Sequence, residues 1–265
     1  MATVAFVPHP DRPAAHQLVV EAGDWLRARG HACVVIGADD VLADVDLVVS
    51  LGGDGTMLHS IALIGARPIP VLGVNIGHLG YLTDVVPEGL LGALEKFFAG
   101  EHRLEKRMTL DVTTGAITRR ALNEAVIEKP SSGHTVRLAL TIDDDPLVTY
   151  AADGLIIATP TGSTAYNLSV RGPICSPTHR AIVVTPVSAH MLFDRSLVLG
   201  PDQCVKVHVL GDKDARLLVD GQSVCAVDAA TPIEIRAAAI DAALVRFGPP
   251  DFNRVLRTKF GLADR

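Results

Sequence analysis

The most reactive pattern in the sequence is an aspartate set among glycines, in the stretch Gly52-Gly53-Asp54-Gly55-Thr56. Glycines let a backbone approach a ligand closely, and a helix that begins just after them directs free amides at the same point, which suits phosphate. The carboxylate of Asp54 would repel phosphate unless it ligates Mg²⁺ there or accepts a proton from a hydroxyl that attacks phosphorus. Asp54 could instead cap the following helix, and the residues alone leave these interpretations open.

A second polar cluster follows the apolar run Leu155–Ala158 and reads Thr159-Pro160-Thr161-Gly162-Ser163-Thr164-Ala165-Tyr166-Asn167-Leu168-Ser169. Ser163 or Thr164 could cap a helix that runs through Leu168. Thr164 and Asn167 would then share one face of this helix, and the Tyr166 ring could lie against a nucleobase. A capped helix after a Pro–Gly turn accounts for two of these residues, but not for the density of polar side chains.

Two further polar pairs interrupt apolar, β-rich stretches: Asn123-Glu124 and Asp153-Gly154. Polar side chains in half-buried segments need hydrogen-bond partners. Ribose hydroxyls or an amide would serve as partners. Water at the edge of a hairpin would serve equally well, and on the residues alone it is the simpler explanation.

The segments that must position these residues change in character near Gly100. Before it, short strands alternate with helices, which indicates a parallel sheet covered by helices. The predicted strands there are Thr3–Val7, His31–Ile36, Asp46–Leu51 and Pro70–Asn75, and the predicted helices are Ala14–Arg29, Gly55–Gly65 and Pro87–Phe98.

After Gly100 the chain is rich in closely spaced β-runs separated by turn clusters, which predicts an antiparallel sandwich or closed sheet. The predicted strands are Leu104–Thr113, Arg120–Glu128, Val136–Asp143, Leu147–Ala152, Ala181–Thr185, Cys204–Leu210, Arg216–Val219, Pro232–Arg236 and Ala242–Phe247. The tail Phe252–Phe260 has helical spacing of apolar residues. We therefore predict a Rossmann-like α/β domain over residues 1–100, an antiparallel β-sandwich domain over 101–250 and a tail helix over 251–265.

Bulk properties exclude some classes of protein. The net charge of −6 argues against a nucleic-acid grip, which needs a basic face. The N-terminus lacks the basic region of a signal peptide, and no apolar run approaches the length of a membrane span. The four cysteines are scattered without metal-ligand spacing, so we expect no structural zinc and a reduced, cytoplasmic protein.

Taken in order, these motifs resemble the NAD kinase family. The resemblance rests on Gly52–Thr56, Asn123-Glu124, Asp153-Gly154, Thr159–Tyr166 and Asp220-Gly221-Gln222, and it includes the segment Val71–Leu82. It covers nearly the whole chain. The glycine motif alone is shared with lipid kinases of related fold, but its combination with Thr159–Tyr166 is highly specific.

The resemblance implies a reaction, its substrates and an assembly. The family transfers the γ-phosphoryl group of ATP, or of polyphosphate in some members, to the 2′-hydroxyl of the adenosine ribose of NAD, with Mg²⁺ or another divalent ion. Its members are homodimers or homotetramers, with an N-terminal α/β domain, a C-terminal β-sandwich and a tail that returns to the first domain. We therefore expect ATP and NAD or NADH as small-molecule partners, and neither nucleic acid nor membrane.

The resemblance also assigns roles to residues. Asp54 becomes the proton acceptor, with Gly55 beside it at the dinucleotide and His59 facing phosphate one turn on. The remaining residues are expected to bind dinucleotide or nucleotide, His134 and Gln222 by spacing only: Gly52, Gly53, Thr56, Asn123, Glu124, His134, Asp153, Thr164, Ala165, Tyr166, Asn167, Leu168, Ser169 and Gln222. No metal ligand is assigned.

The sequence departs from the family pattern at two places. Val170-Arg171 stands where the family usually has Ala-Gly, which could alter the pocket or add a charge near a phosphate. Ala151 stands where many members carry a larger or basic residue, and in the family a small residue there accompanies acceptance of NADH. The alternatives to an NAD kinase are a specialised paralogue that phosphorylates another adenosine-like nucleoside, a lipid kinase, and a non-catalytic dinucleotide-binding module.

Overall fold

The computed structural model describes residues 1–37, 40–77, 80–131, 133–211, 214–249 and 252–262. The chain divides into two compact units, and each has its own hydrophobic core. Unit 1 comprises residues 1–106 and 242–265, and unit 2 comprises residues 107–241. Among the residues described, no helix combines the length and the apolar character needed to cross a membrane.

Unit 1 is an α/β layer built on a six-stranded sheet in the order β2-β1-β3-β4-β18-β5. Its strands are β1 (Thr3–Pro8), β2 (Ala32–Val35), β3 (Leu47–Gly52), β4 (Pro70–Asn75), β5 (Arg103–Arg107) and β18 (Ala242–Arg246). Its helices are α1 (Pro13–Ala28), α2 (Asp54–Ile64), α3 (Leu90–Phe98) and α5 (Phe252–Phe260).

The strands of unit 1 follow from their sequence. β3 is buried along its whole length, as expected of a parallel strand covered on both faces. β1 pairs in parallel with both β2 and β3, so the direction in which the sheet grows reverses at β1. Ligands of open α/β sheets bind beyond the carboxyl ends of strands at such a reversal. The glycine motif follows β3 at this place.

Unit 2 consists of two six-stranded antiparallel sheets. One has the order β10-β9-β14-β17-β6-β7 and the other β13-β12-β11-β8-β15-β16. The strands are β6 (Leu110–Thr114), β7 (Ile117–Ala121), β8 (Glu124–Glu128), β9 (Val136–Ile142), β10 (Asp145–Ala152), β11 (Gly154–Ala158), β12 (Ile182–Val187), β13 (Leu197–Leu199), β14 (Val205–Leu210), β15 (Ala215–Val219), β16 (Gln222–Val227) and β17 (Ile233–Ala237).

A single core of alternating apolar side chains lies between these two sheets. Leu138 and Val207 come from the first sheet, and Ile127 and Leu155 come from the second. The second sheet also buries its other face, where Val126, Ile156 and Val183 form a smaller cluster with Val170 and Cys175. Val170 and Cys175 belong to the connection between β11 and β12, which contains the short helix α4 (Tyr166–Ser169). The predicted fold class, an α/β region followed by an antiparallel β-sandwich, is confirmed.

The structure differs from the sequence prediction at the ends of the second region. The strand predicted at Ala242–Phe247 lies in the sheet of unit 1, in parallel with β4, and not among the antiparallel strands. The predicted single strand Leu104–Thr113 is two strands that belong to different units, β5 and β6. A short apolar run does not reveal which sheet it joins, because parallel and antiparallel strands can have the same apolar pattern over five residues. The compact units therefore differ from the predicted boundaries at 100 and 250.

Candidate active site

Asp54 is the first residue of α2, and its side chain does not cap that helix. The N-cap is Gly53, which makes no side-chain capping bond. The carboxylate instead accepts two backbone hydrogen bonds, from Tyr81 N to Oδ2 at 2.8 Å and from Leu82 N to Oδ1 at 2.9 Å. Each oxygen thus keeps a lone pair available, since an ionised carboxylate accepts about four bonds. The carboxylate is half-buried and fixed in direction at the amino end of a helix.

The glycines around Asp54 separate into two kinds. An added Cβ at Gly52 would overlap Thr56 Oγ1, and one at Gly80 would overlap the Asp54 carboxylate, so packing requires glycine at both positions. A Cβ at Gly53 or Gly55 would meet no described atom within 4 Å. Packing therefore leaves these two positions free, and their lack of a side chain fits a ligand that approaches the backbone.

Thr56 and His59 lie on the first two turns of the same helix. Thr56 is buried, and its side chain occupies the space that Gly52 leaves. Ser60 donates a hydrogen bond to the Thr56 carbonyl at 2.8 Å, one turn back along the helix. His59 is half-buried. The predicted segment Val71–Leu82 contains His78 and Leu79, which lie outside the described residues.

In unit 2, the pair Asn123-Glu124 stands at the start of β8 and is held by Asp220. The Asp220 carboxylate accepts from three consecutive backbone amides, Leu122 N at 2.8 Å, Asn123 N at 2.8 Å and Glu124 N at 3.1 Å. Asp220 itself has a φ of 48°, in the turn that joins β15 to β16. A carboxylate bound by a row of amides fixes the backbone of the pair with little freedom.

Glu124 is an uncommon carboxyl group because it is buried and only partly hydrogen-bonded. It is 5% exposed, and its Oε2 has no hydrogen-bond partner among the described residues. Burial and, to a lesser extent, the nearby charge of Asp220 raise the Glu124 pKa to about 8, although a hydrogen bond from the Tyr166 amide opposes the shift. Burial likewise raises the pKa of Asp220, against its three amides. A buried, unpartnered carboxyl oxygen calls for a ligand or water.

The segment Thr159–Gly162 packs directly on this pair. β8 and β11 are antiparallel with Glu124 opposite Ala158, so the end of β11 meets the start of β8. Thr159 N donates to Asn123 O at 2.8 Å, and Thr159 Oγ1 donates to Leu122 O. An added Cβ at Gly162 would overlap the Asn123 backbone. Two motifs separated by 35 residues are thereby brought into contact.

The single helix predicted from Gly162 to Leu168 is instead a 3₁₀ turn, Gly162–Thr164, followed by the four-residue α4. Ala165 between them has a ψ of −127°, which interrupts the helix. Neither predicted cap is used: Ser163 Oγ donates to Pro160 O and accepts from Cys175 N, and Thr164 Oγ1 donates to Thr161 O. Thr164 and Asn167 therefore do not share one helical face.

Asn167 is fully buried, and its amide is used within the unit. Nδ2 donates to Ser163 O at 3.2 Å and to Pro173 O at 3.1 Å, while Oδ1 accepts from Thr185 Oγ1 at 2.7 Å. Its Oδ1 keeps one lone pair, but the side chain has no exposed surface. The observed contacts give Asn167 the role of holding its loop against β12.

The other predicted residues of the segment have different exposures. Tyr166 is 38% exposed, and burial, followed by the charges of Glu128, Asp153 and Glu124, raises its pKa. Thr164, Ala165 and Leu168 are half-buried, and Ser169 is exposed. The exposed part of the Tyr166 ring therefore lies in acidic surroundings, which suits contact with an apolar or a cationic ring.

Tyr166 and Asp153 both line a cavity of about 330 Å³ in unit 2. Asp153 Oδ1 accepts from Lys129 Nζ at 2.6 Å, and Glu128 pairs with Arg216 at 2.5 Å on the same wall. Asp153 thus forms an ion pair with Lys129, and water is not its only partner. Within the described ranges, the wall of this cavity does not include His134 or Gln222, which are both exposed.

The described carboxylates, histidines and cysteines bear on whether a divalent cation fits the site. In the described part of the chain, no three or more His, Cys, Asp or Glu residues lie close enough together to hold a metal by themselves. Mg²⁺ typically takes one or two carboxylates and keeps water and phosphate oxygens as its other ligands. Asp54, with one free lone pair on each oxygen, fits a cation of that kind.

Sequence reasoning assigned no role to two buried or backbone-binding residues, Asp220 and Arg246. Asp220 was noted only as part of a motif, and its bonds to amides 96 to 98 residues away leave no local signal in the sequence. Arg246 ends β18 and is 5% exposed. A charged residue in an apolar run is the one signal that could have identified it.

Comparison with known proteins gives the same family in every case. Residues 38–102 match the profile of the ATP-NAD kinase N-terminal domain, and residues 122–247 match that of the ATP-NAD kinase C-terminal domain. The NAD kinase of Heliobacterium modesticaldum is 38% identical over 281 aligned positions, which cover 98% of both chains. The NAD kinase of Syntrophotalea carbinolica is 38% identical and covers 97% of this chain and 96% of its own.

Two solved structures resemble the whole chain. The crystal structure of yeast NADH kinase complexed with NADH has a TM-score of 0.90 at 25% identity, covering 100% of this chain and 89% of the yeast chain. The NAD kinase from Archaeoglobus fulgidus in complex with ATP has a TM-score of 0.81 at 24% identity, covering 100% of both chains. At that identity the second match bears on fold alone.

Proposed function

The chain belongs to the NAD kinase family, and from this premise we propose that it transfers the γ-phosphoryl group of ATP to the 2′-hydroxyl of the adenosine ribose of NAD. The product is NADP. The observation that carries the proposal is the position of Asp54: its carboxylate lies at the amino end of α2, caps nothing and is held by two amides. A non-catalytic binding module has no need of an acid at an anion site.

Asp54 is the proton acceptor in this proposal. A ribose hydroxyl is a poor nucleophile near neutral pH, so a carboxylate within hydrogen-bond reach assists by taking its proton as the bond to phosphorus forms. General-base assistance of this kind contributes about 10²- to 10⁴-fold. The free amides at the start of α2, beside Gly53 and Gly55, stabilise negative charge on the phosphates. His59, one turn further on, adds a donor on the same helix.

Residues of unit 2 bind the dinucleotide. Asn123 and the buried carboxyl of Glu124 are held in place by Asp220, and the unpartnered Oε2 of Glu124 is a group that a ribose hydroxyl or an amide would satisfy. Tyr166 offers its exposed face to a ring, and Asp153 lines the same cavity. Thr164, Ala165, Leu168 and Ser169 surround Tyr166 in sequence. Gly52 and Thr56 keep the phosphate loop in shape.

A divalent cation such as Mg²⁺ would accompany ATP and would neutralise charge on the phosphates. Asp54 fits such a cation, but in this proposal its free lone pairs accept the hydroxyl proton, so the cation would keep water and phosphate oxygens as its ligands. NADH is a second acceptor in the proposal, because Ala151 on β10 is small and half-buried, and because yeast NADH kinase is among the similar structures. A cytoplasmic location fits the four free cysteines, and a homodimer or homotetramer remains a prediction from the family.

A substrate panel tests the proposal. Purified protein is incubated with ATP and Mg²⁺ and with NAD, NADH, adenosine or diacylglycerol, and the product is identified by its mass and the site of phosphorylation. We expect the 2′-phosphate of NAD, and of NADH as well. Phosphorylation of adenosine or diacylglycerol in preference to NAD, or of another hydroxyl of NAD, would overturn the assignment. A parallel assay with polyphosphate in place of ATP shows which of the two is the phosphoryl donor.

A further inference from the structure

Arg246 is a buried cation that the proposed reaction leaves without a role. It is 5% exposed at the end of β18, the strand that lies between β4 and β5. Its Nη1 lies 2.6 Å from Asp84 Oδ1 and 3.2 Å from the carbonyl oxygen of Leu82, and its Nε lies 3.3 Å from Glu105 Oε1. Burying a guanidinium is costly unless its donors are used, and here they bind two carboxylates and one backbone carbonyl.

The backbone that Arg246 binds is the backbone that holds Asp54. Leu82 takes part in both contacts: its amide donates to Asp54 Oδ1 at 2.9 Å, and its carbonyl accepts from Arg246 Nη1 at 3.2 Å. One peptide segment therefore connects the guanidinium to the carboxylate. Gly80 allows this arrangement, because a Cβ there would overlap the Asp54 carboxylate.

Glu105, which binds Arg246, has a further partner of its own at the edge of the sheet. Glu105, on β5, is 9% exposed and accepts a second hydrogen bond on Oε2 from Arg103 Nη1 at 2.9 Å. Arg103 Nε also donates to the carbonyl of Gly248 at 3.0 Å. The guanidinium of Arg246 thus lies between two carboxylates that compensate its charge, which leaves its position little freedom.

We propose that Arg246 is a positioning residue: it fixes the segment Gly80–Asp84 and, through the Tyr81 and Leu82 amides, the direction of the Asp54 carboxylate. The inference rests on the proposed role of Asp54 as proton acceptor. A general base acts only when it lies within hydrogen-bond reach of its proton, so a shift of the segment lowers turnover. Dinucleotide affinity is expected to change little, because Arg246 contacts no residue assigned to the dinucleotide.

The side chain must be arginine for a geometric reason. The planar guanidinium presents donors in several directions from one rigid group, whereas a lysine ammonium is a single point charge at the end of a flexible chain. Arg246→Lys keeps a cation between Asp84 and Glu105, and so protects the fold, but it loses the simultaneous contact with Leu82 O. Arg246→Met removes the charge as well.

The test compares these two variants with Arg103→Met. Among the described residues, Arg103 binds the same Glu105 but not the segment Gly80–Asp84, so its loss serves as the matched control. We expect kcat for NAD phosphorylation to fall about tenfold to a hundredfold in Arg246→Lys with KM for NAD within about threefold of the parent, and Arg103→Met to stay within about threefold in both. Circular dichroism checks that each variant is folded at the assay temperature.

A second measurement does not depend on activity. Hydrogen exchange of the Tyr81 and Leu82 amides reports directly on the bonds to Asp54, and we expect it to accelerate in Arg246→Lys but not in Arg103→Met. Unchanged exchange at these amides in folded Arg246→Lys would overturn the inference, and so would a fall in kcat that Arg103→Met reproduces. A parent protein that does not phosphorylate NAD at all would contradict the proposed function instead, and the exchange result would still decide the role of Arg246.

Discussion

Asp54 and Glu124 show how the same functional group is prepared in two ways. Asp54 is half-buried with both oxygens bound by amides, so its carboxylate has a fixed direction and spare lone pairs. Glu124 is buried with one oxygen unpartnered, and its raised pKa follows from burial first and the charge of Asp220 second. The first environment suits a proton acceptor, and the second suits a carboxyl group that a ligand completes.

Asp54→Asn is predicted to reduce turnover by about 10²-fold or more, because an amide cannot accept the proton of a hydroxyl. The asparagine NH₂ would also face one of the two backbone amides, which lowers stability by about 1–3 kcal/mol. Steady-state kinetics measure the first effect and thermal unfolding the second. NAD affinity by calorimetry should stay within about threefold of the parent. Near-normal turnover in this variant would contradict the role of Asp54.

Glu124→Gln is predicted to make stability less dependent on pH. A folded-state pKa of about 8, against an ordinary value of 4.5, means that the folded chain holds this proton more tightly than the unfolded chain. The stabilisation is complete below the unfolded value and is lost as the pH rises through the folded value. Melting temperature, measured from about pH 5 to pH 9, should fall less steeply for Glu124→Gln than for the parent.

The control for this pH profile is Glu128→Gln, on the same strand. Glu128 is paired with Arg216, and its side chain is 24% exposed. This variant removes a partly exposed carboxyl group from the same strand, so it shows whether any such removal changes the slope. Parallel pH profiles for the parent and Glu124→Gln would show that the Glu124 carboxyl is ionised in the folded state near neutral pH, contrary to its surroundings.

At the scale of elements, a short helix and the turn that ends it shape the segment Thr159–Ser169. α4 has four residues and ends in a Schellman arrangement: Arg171 N donates to Leu168 O, and Gly172 N donates to Asn167 O. Arg171 has a φ of 66°, a conformation that usually requires glycine. Arg171 is exposed, and the turn forms although this residue is not glycine. The departure seen in the sequence is thus a strained helix terminus.

Arg171→Gly is predicted to be more stable than Arg171→Ala by about 1 kcal/mol, since alanine keeps the unfavourable φ and glycine does not. The difference corresponds to a melting temperature higher by about 2–4 °C. Both variants remove the same charge, so the comparison isolates the backbone. Equal melting temperatures would mean that the turn opens at little cost. Turnover of the two variants shows whether the Arg171 charge matters to the substrate.

At the scale of the whole molecule, the chain is not divided in sequence order. Residues 242–265 return to unit 1, where β18 lies between β4 and β5. The tail helix α5 also belongs to unit 1, with Lys259 Nζ 5.2 Å from the centroid of the Tyr81 ring. Unit 1 is therefore complete only when the last part of the chain is present, and the buried Arg246 is part of that completion.

Removal of residues 242–265 is predicted to destabilise unit 1 and open it to proteases, while unit 2 stays folded. β5 would lose its neighbour in the sheet, and Asp84 and Glu105 would lose the guanidinium that compensates them. Limited proteolysis with mass identification of the fragments should show rapid cleavage within residues 1–106 and protection of residues 107–241. A chain that ends at residue 262 is the control. Equal protection of both units in the shorter chain would contradict this view of unit 1.

The sequence by itself predicted most of the elements and the candidate residues, although it merged β5 with β6 and β7 with β8 and did not predict β13 or β16. Alternation of strands and helices before Gly100, and β-runs after it, predicted the fold class because hydrophobic periodicity reflects which face is buried. Helix bounds were predicted to within one residue for α1 and α2 and in full for α5 (Phe252–Phe260). Asp54 stood out because an acid at an anion-binding bend needs a reason.

Only the tertiary structure decided which residues act together. It placed Ala242–Arg246 in the first sheet, divided Gly162–Ser169 into two short turns and buried Asn167, because strand partners and loop geometry depend on contacts between distant segments. It also joined Asp220 to Asn123-Glu124 across 97 and 96 residues, and Arg246 to Leu82 across 164. Such pairings leave no local pattern, since hydrogen bonds between remote residues are set by the folded backbone and not by sequence spacing.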